Sequence, residues 1–117
     1  MQIIFHGFGK IEIDGQRYKD DVLIENSQVR KRDKTPSKAY RSQFRHTPLS
    51  VDEAIPWGKG RLVIGTGVAG ALPIMPEVLA EARRRGIELV ILPTAEACAL
   101  LNQTQTETPN AILHITC

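Results

Sequence analysis

From Arg61 onward, short apolar runs alternate with helix-forming segments, and this alternation limits the fold more than any other feature. Leu62-Val63-Ile64, Ile87 to Leu92 and Ala111 to Thr116 read as strands. Their apolar residues run continuously, as expected of strands covered on both faces. Between them lie two helical segments, Pro76 to Arg85 and Ala95 to about Thr104. Pro76 suits the first helical position, Glu77 the first turn, Arg83-Arg84-Arg85 the last turn and Gly86 the stop. Thr94 is placed to cap the second helix. The 61–117 unit is therefore β-α-β-α-β, with a parallel or mixed sheet between layers.

The first 32 residues read as a β meander. Gln2 to Phe5, Lys10 to Ile13 and Asp21 to Ile24 are short apolar or alternating runs, and Ser27 to Arg30 adds a fourth. Asp14-Gly15 signals a type I′ hairpin turn, which needs positive φ. Residues 33–50 hold two prolines and no sustained period, and so read as a long surface loop. Ser50 then caps a short helical turn that ends before Pro56. The fold class expected is α/β: one three-layer domain over residues 1–117, with a mixed central sheet and an N-terminal antiparallel β layer. A chain of 117 residues supports one core, which excludes a nucleotide domain joined to a separate substrate domain.

The start of the chain shows no basic leader before an apolar segment. The longest uncharged stretch, Leu62 to Pro76, is too short and too interrupted by Gly and Pro to span a bilayer. A cytoplasmic protein without membrane contact is expected, with Cys98 and Cys117 reduced. The net charge of +2 is unevenly spread. Residues 29–46 carry Arg30, Lys31, Arg32, Lys34, Lys38, Arg41 and Arg45 against the single acid Asp33. That cationic segment is a candidate docking surface, with Arg30, Arg32, Arg41 and Arg45 as its partner-binding residues. It could also grip RNA or DNA, with Tyr40 and Phe44 stacking on bases, although a charge run is usually only a solvated surface.

"GTGVAG" at residues 65–70 follows the first buried strand and matches G-x-G-x-x-G. A dinucleotide site needs a helix opening at the last glycine, so that free amides face the pyrophosphate. Here Pro73 and Pro76 prevent a helix from running through that stretch. The following strand ends Ile91-Leu92-Pro93, without an acid for a ribose. No Gly-Lys-Ser/Thr is present for a Walker loop. Two readings remain open. The glycines permit positive φ and close packing, or their amides form an anion-binding nest. In the second case the pocket lies between Gly65, Thr66, Gly67, Gly70, Thr94 and Glu96, with His46 facing the loop.

No cysteine or histidine spacing fits zinc, so neither a metal nor a cofactor is expected. Cys98 lies in the first turn of a helix, where a dipole lowers a thiol pKa, but as a nucleophile it lacks a visible base. A buried spectator is the simpler role. His114 alternates with Leu113 and Ile115, so it points away from the face they bury.

The stretch "LVIGTGVAGALPIMPEVLAEARRRGIELVILPTAEACALLN", followed by "AILHITC", resembles the Mth-nine-three-eight domain family. The similarity covers residues 61–117 closely and the N-terminal third more loosely, and residues 33–45 depart from it most. It implies a three-layer α/β domain with a mixed sheet and an added β layer. It brings no established catalytic residues. One mitochondrial member of that family acts in assembly of respiratory complex I, and another is linked to adipocyte differentiation. The expected function is therefore a non-catalytic protein-binding or assembly-type factor. The alternative is a small-molecule or anion-binding protein, including a cryptic enzyme, that uses the glycine loop. Exposed strand edges are compatible with a homodimer.

Overall fold

A computed structural model of the chain, described for residues 1–103 and 109–117, has two sheets and three α-helices. Strands β1 (Ile3–Gly7), β2 (Lys10–Ile13) and β3 (Gln16–Tyr18) form an antiparallel three-stranded sheet in that order. Asp14 and Gly15 both adopt positive φ between β2 and β3, as their turn signal predicts. The next hairpin, β4 (Val22–Glu25) and β5 (Gln28–Lys31), does not continue this layer. It joins β6 (Arg61–Thr66), β7 (Glu88–Leu92) and β8 (Asn110–His114) in a five-stranded sheet of order β5-β4-β8-β6-β7. The meander expected over residues 1–32 is thus divided between two sheets. β4 is buried along Val22, Leu23 and Ile24, a side-chain set that needs cover on both faces. β6 runs parallel to β7 and β8, whereas β4 is antiparallel to β8, so the central sheet is mixed.

The two faces of that sheet hold separate apolar clusters. Val22, Ile24, Val63, Ala111 and Leu113 meet Ala97, Cys98 and Leu101 of α3 (Thr94–Gln103) together with Ile3, Ile11 and Ile13 of the small sheet. Leu23, Leu62, Ile64 and Ile112 face the other way, onto Val78 and Ala82 of α2 (Pro76–Arg85) and onto Leu49, Ile55 and Leu72. Three layers result: α2 with the 49–57 segment, the central sheet, and α3 with the small sheet. Each fully buried Leu or Ile here contributes about 1.5–3 kcal/mol by leaving water. The helix signals hold for α2, which starts at Pro76 and ends on Gly86 at φ 70°. The residues foreseen at the C-terminal end of the second helix reach Thr104, which lies outside the described residues.

The 33–50 segment is more ordered than its composition suggests. Thr35–Tyr40 form a 3₁₀ helix and Arg41–Phe44 one turn of α-helix, α1. Ser37 is completely buried and fastens the segment from below. Ser50 caps a hydrogen-bonded turn rather than a helix, its Oγ accepting the Asp52 amide at 3.3 Å.

Candidate functional site

The glycine loop begins inside the sheet. Gly65 lies on β6, where a Cβ would stand 2.9 Å from Thr94 Oγ1 and 3.0 Å from a Leu113 methyl, so only glycine fits. Gly67 has φ 103°, and a Cβ there would lie 2.2 Å from the carbonyl carbon of Cys117. The loop amides all find acceptors within the chain. Gly67 donates to Thr94 Oγ1 at 2.7 Å. Val68 donates to the Thr116 carbonyl, while Ala69 and Ala71 share the Cys117 carbonyl. Gly70 and Leu72 bond back to the carbonyls of Gly67 and Thr66. A nest needs amides free to face an anion. Here Thr94, residues 116 and 117 and the loop's own carbonyls take up those amides; close packing explains Gly65 and Gly67, and a φ of 68° explains Gly70.

The remaining residues of the candidate pocket are dispersed. Thr94 is fully buried. Its hydroxyl donates to the His114 carbonyl at 2.5 Å while accepting from Gly67, so it bridges strand, loop and helix instead of capping α3. Thr66 donates to the Leu92 carbonyl. Glu96 and His46 are exposed, and among the described residues no hydrogen bond or ion pair links either to the loop. The structure brings Gly65, Thr66, Gly67 and Thr94 together around the chain's own tail, and leaves Glu96 and His46 apart from them.

The cationic segment has a different anatomy from the one its composition implied. Arg32 is not a surface residue: only 3% of it is exposed. Its Nε and Nη2 form a fork onto the Glu53 carboxylate at 2.7 and 2.8 Å, and Nη1 donates to Asp21 Oδ2 at 2.8 Å. Burial alone would lower its pKa, but the bonds to Glu53 and Asp21 outweigh this and raise it. This corrects the assignment of Arg32 to partner binding. The other six cations, Arg30, Lys31, Lys34, Lys38, Arg41 and Arg45, are exposed.

The Arg32 pair extends in both directions as a buried polar chain. Ser37 Oγ donates to Glu53 at 2.5 Å and lies 2.6 Å from Ser50 Oγ. On the other side Asp21 accepts from the Ile115 amide at 3.0 Å and sits 2.8 Å from His114 Nδ1. Among the described residues every buried side-chain polar atom has a partner. Asp21, Glu53 and Ser37 carried no signal in the sequence, because their partners lie far along the chain. Asp21 did stand at the start of a recognised strand, which is where a carboxylate can reach the backbone of the next one.

Two groups show how burial sets the chemistry. Burial alone would raise the Asp21 pKa. The hydrogen bond and charge of His114, the Ile115 amide and the Arg32 charge outweigh it and hold the carboxyl at about 2. A carboxylate with a lowered folded-state pKa stabilises the fold above its unfolded value near 3.8, and that stability is lost as pH falls toward 2. The loss expected between pH 4 and pH 2 is about 1.8 kcal/mol. Acid unfolding followed by circular dichroism should show a shallower slope across that window for Asp21→Asn; an unchanged slope would remove Asp21 as its source.

Cys98, buried against the core, has its thiol pushed up to about 12 by burial. The helix dipole does not offset that burial, so the thiol stays protonated and unreactive. Native protein should therefore titrate with a thiol reagent at exposed Cys117 alone, and Cys98 should react only after denaturation. Fast reaction of Cys98 in the native state would contradict this.

No helix among the described residues is long and apolar enough to cross a membrane, and no group of His, Cys, Asp and Glu among them could hold a metal ion. No curated protein matches the chain. Among solved structures it is similar to a conserved hypothetical protein, PH1505 from Pyrococcus horikoshii OT3, at 28% identity and TM-score 0.81 over all of both chains. It also shares its fold with MT938, at 22% identity and TM-score 0.71 over 99% of this chain and 98% of that one. Both likenesses agree with the family resemblance read from residues 61–117 and with a single three-layer domain. Residues 5–115 match the model of a family described as protein of unknown function (DUF498/DUF598), and the chain belongs to that family.

Proposed function

We propose that this chain is a non-catalytic binding protein that docks an acidic surface of another protein through the cationic face of residues 30–45. The observation that carries this reading is the contrast within that segment. Arg32 is drawn inside and neutralised by two carboxylates, while its six cationic neighbours remain in solvent. The buried Arg32, Glu53 and Ser37 bonds hold the backbone that presents them, and Tyr40 adds a bond to Asp52 at 2.6 Å. A face ordered before encounter loses less conformational entropy on binding than a mobile tail would. Its charge would speed association with an acidic partner and make it depend on salt.

The interior supports a binding role over a chemical one. Asp21, Arg32, Glu53 and His114 are spent on one another, and the Cys98 thiol is held protonated. The proposal places the protein in the cytoplasm and assigns it no cofactor.

The test is quantitative affinity capture from the source cells with Arg41→Glu/Arg45→Glu protein beside the wild type. Reversal of two charges should reduce recovery of a specific partner by about tenfold or more. An equal loss from Arg83→Glu, on α2 at another surface, would indicate nonspecific charge attraction. An unchanged partner list would sink the proposal. Specific recovery of nucleic acid, released by nuclease, would replace the protein partner with RNA or DNA.

A further inference from the structure

A second cleft lies at the turn end of the small sheet, between the β1–β2 turn and Tyr18. We propose that the cleft beside Tyr18 binds a small organic anion with a flat apolar body. The cleft has a volume of about 470 Å³, within the usual range for small-molecule sites. It arises from an irregularity in β1. Phe5 pairs with Ile11 and Gly7 with Lys10, so His6 is an extra residue opposite no partner. Such a bulge bends the strand and redirects its side chains. Gly7 and Gly9 then take φ of 104° and 78° to turn the chain. The Gly9 amide donates to the Ile115 carbonyl at 2.6 Å, which fastens the hairpin to the continuation of β8.

The lining divides into two parts. Ile11 stands opposite Tyr18 in the β2–β3 register. Tyr18 is half-buried and packs on the core cluster that contains Ile11, so its ring gives the cleft a rigid apolar wall. Lys10, Arg17 and Lys19 stand around that wall in solvent, together with His6. Glu12 lies 3.6 Å from Arg17 Nε and 3.3 Å from His6 Nε2, which leaves Lys10 and Lys19 without an anionic partner among the described residues. No acid lines the cleft.

A neighbouring cleft of about 360 Å³ serves as the comparison. There Asp20, Asp21 and Asp33 line the cleft beside Lys31, Arg32, Lys34 and Lys38, and Asp20 pairs with Lys31 as Asp21 does with Arg32. Unlike that cleft, the Tyr18 cleft combines cations free of a lining acid with an apolar wall. A bare inorganic anion would touch only flexible exposed cations, and such contacts contribute little. A planar group against Tyr18, with its anionic substituent toward Lys10 and Lys19, uses both parts.

The experiment is an amide NMR titration of the whole chain with 1-naphthalenesulfonate, with sodium sulfate and naphthalene-methanol as separate controls. Saturable shifts confined to Gly9, Lys10, Tyr18 and Lys19 are expected, with binding at least about tenfold tighter than for either control. Lys10→Glu/Lys19→Glu should weaken binding by about tenfold while the remaining spectrum stays native. Sulfate binding as tightly as the naphthalenesulfonate would overturn the proposal, as would shifts centred on Arg41 and Arg45. If the double variant fails to fold, the wild-type shift map still decides: absence of a saturable response at these amides refutes the site.

Discussion

Replacing Arg32 with methionine lowers the unfolding free energy by about 3–5 kcal/mol, the usual cost of removing one member of a buried ion pair. The guanidinium answers two buried carboxylates, Asp21 and Glu53, at distances of 2.7–2.8 Å. Methionine replaces its aliphatic stem but leaves both acids without a counter-charge. They must then take up protons or let water in, and either disturbs the Ser37 and Ile115 contacts that depend on them. For a domain of this size, total stability is on the order of 5–15 kcal/mol, so the variant is close to unfolding. Arg32→Lys should recover part of the loss, because an ammonium keeps the charge but cannot form the two-pronged contact with Glu53. Arg41→Met, at an exposed position, should change stability by less than about 0.5 kcal/mol. Urea denaturation of the three variants checks the ranking. Equal midpoints for the Arg32 and Arg41 changes would mean that the buried network contributes no more than a surface charge.

The second large effect concerns Gly67. Gly67→Ala combines a positive φ with a Cβ 2.2 Å from the Cys117 backbone, so the tail must move. Backbone strain at such a φ costs about 1–3 kcal/mol, and forced overpacking adds about 1–3 more. Gly7 provides the control. Its φ of 104° nearly equals that of Gly67, but a Cβ there meets nothing within 4 Å. Gly7→Ala should therefore show the strain alone. The difference between the two measures what the contact between loop and tail contributes. Similar losses for both would mean that the tail yields freely. Because Gly67→Ala moves the tail, a side chain at this position is no clean probe of ligand binding.

These two residues also show what could be read from the sequence. The β-α-β-α-β half was legible because its signals are local: continuous apolar runs, Pro76 at a helix start, Gly86 at φ 70° after its end. The Asp14-Gly15 turn was legible for the same reason. The division of the N-terminal strands was not, because pairing of β4 with β8 joins residues 22–24 to residues 111–113. No local pattern reports such a partner. β3, Gln16–Tyr18, is short and mostly polar, and becomes a strand only through β2.

The candidate sites divide in the same manner. Failure of the dinucleotide motif was visible in Pro73 and Pro76. The actual use of its amides was not, since Val68 bonds to Thr116 and Ala71 to Cys117 across most of the C-terminal half. Arg32 looked like its neighbours because composition does not distinguish an exposed arginine from a buried one. Only Asp21 and Glu53, 11 and 21 positions away, make it an interior residue.

The amides of GTGVAG are bonded within the chain, to residues 116 and 117 among others, which leaves the cationic surface as the proposed place of binding. Native-state hydrogen exchange at the amides of residues 67–72 tests this most directly, in protein free of added ligand. Those amides should exchange at least about a hundredfold more slowly than in an unstructured peptide, and should open together as one unit. Added pyrophosphate or dinucleotide should leave their rates unchanged. Rapid exchange that slows on adding such a ligand would contradict the account and return the glycine loop to the status of a binding site.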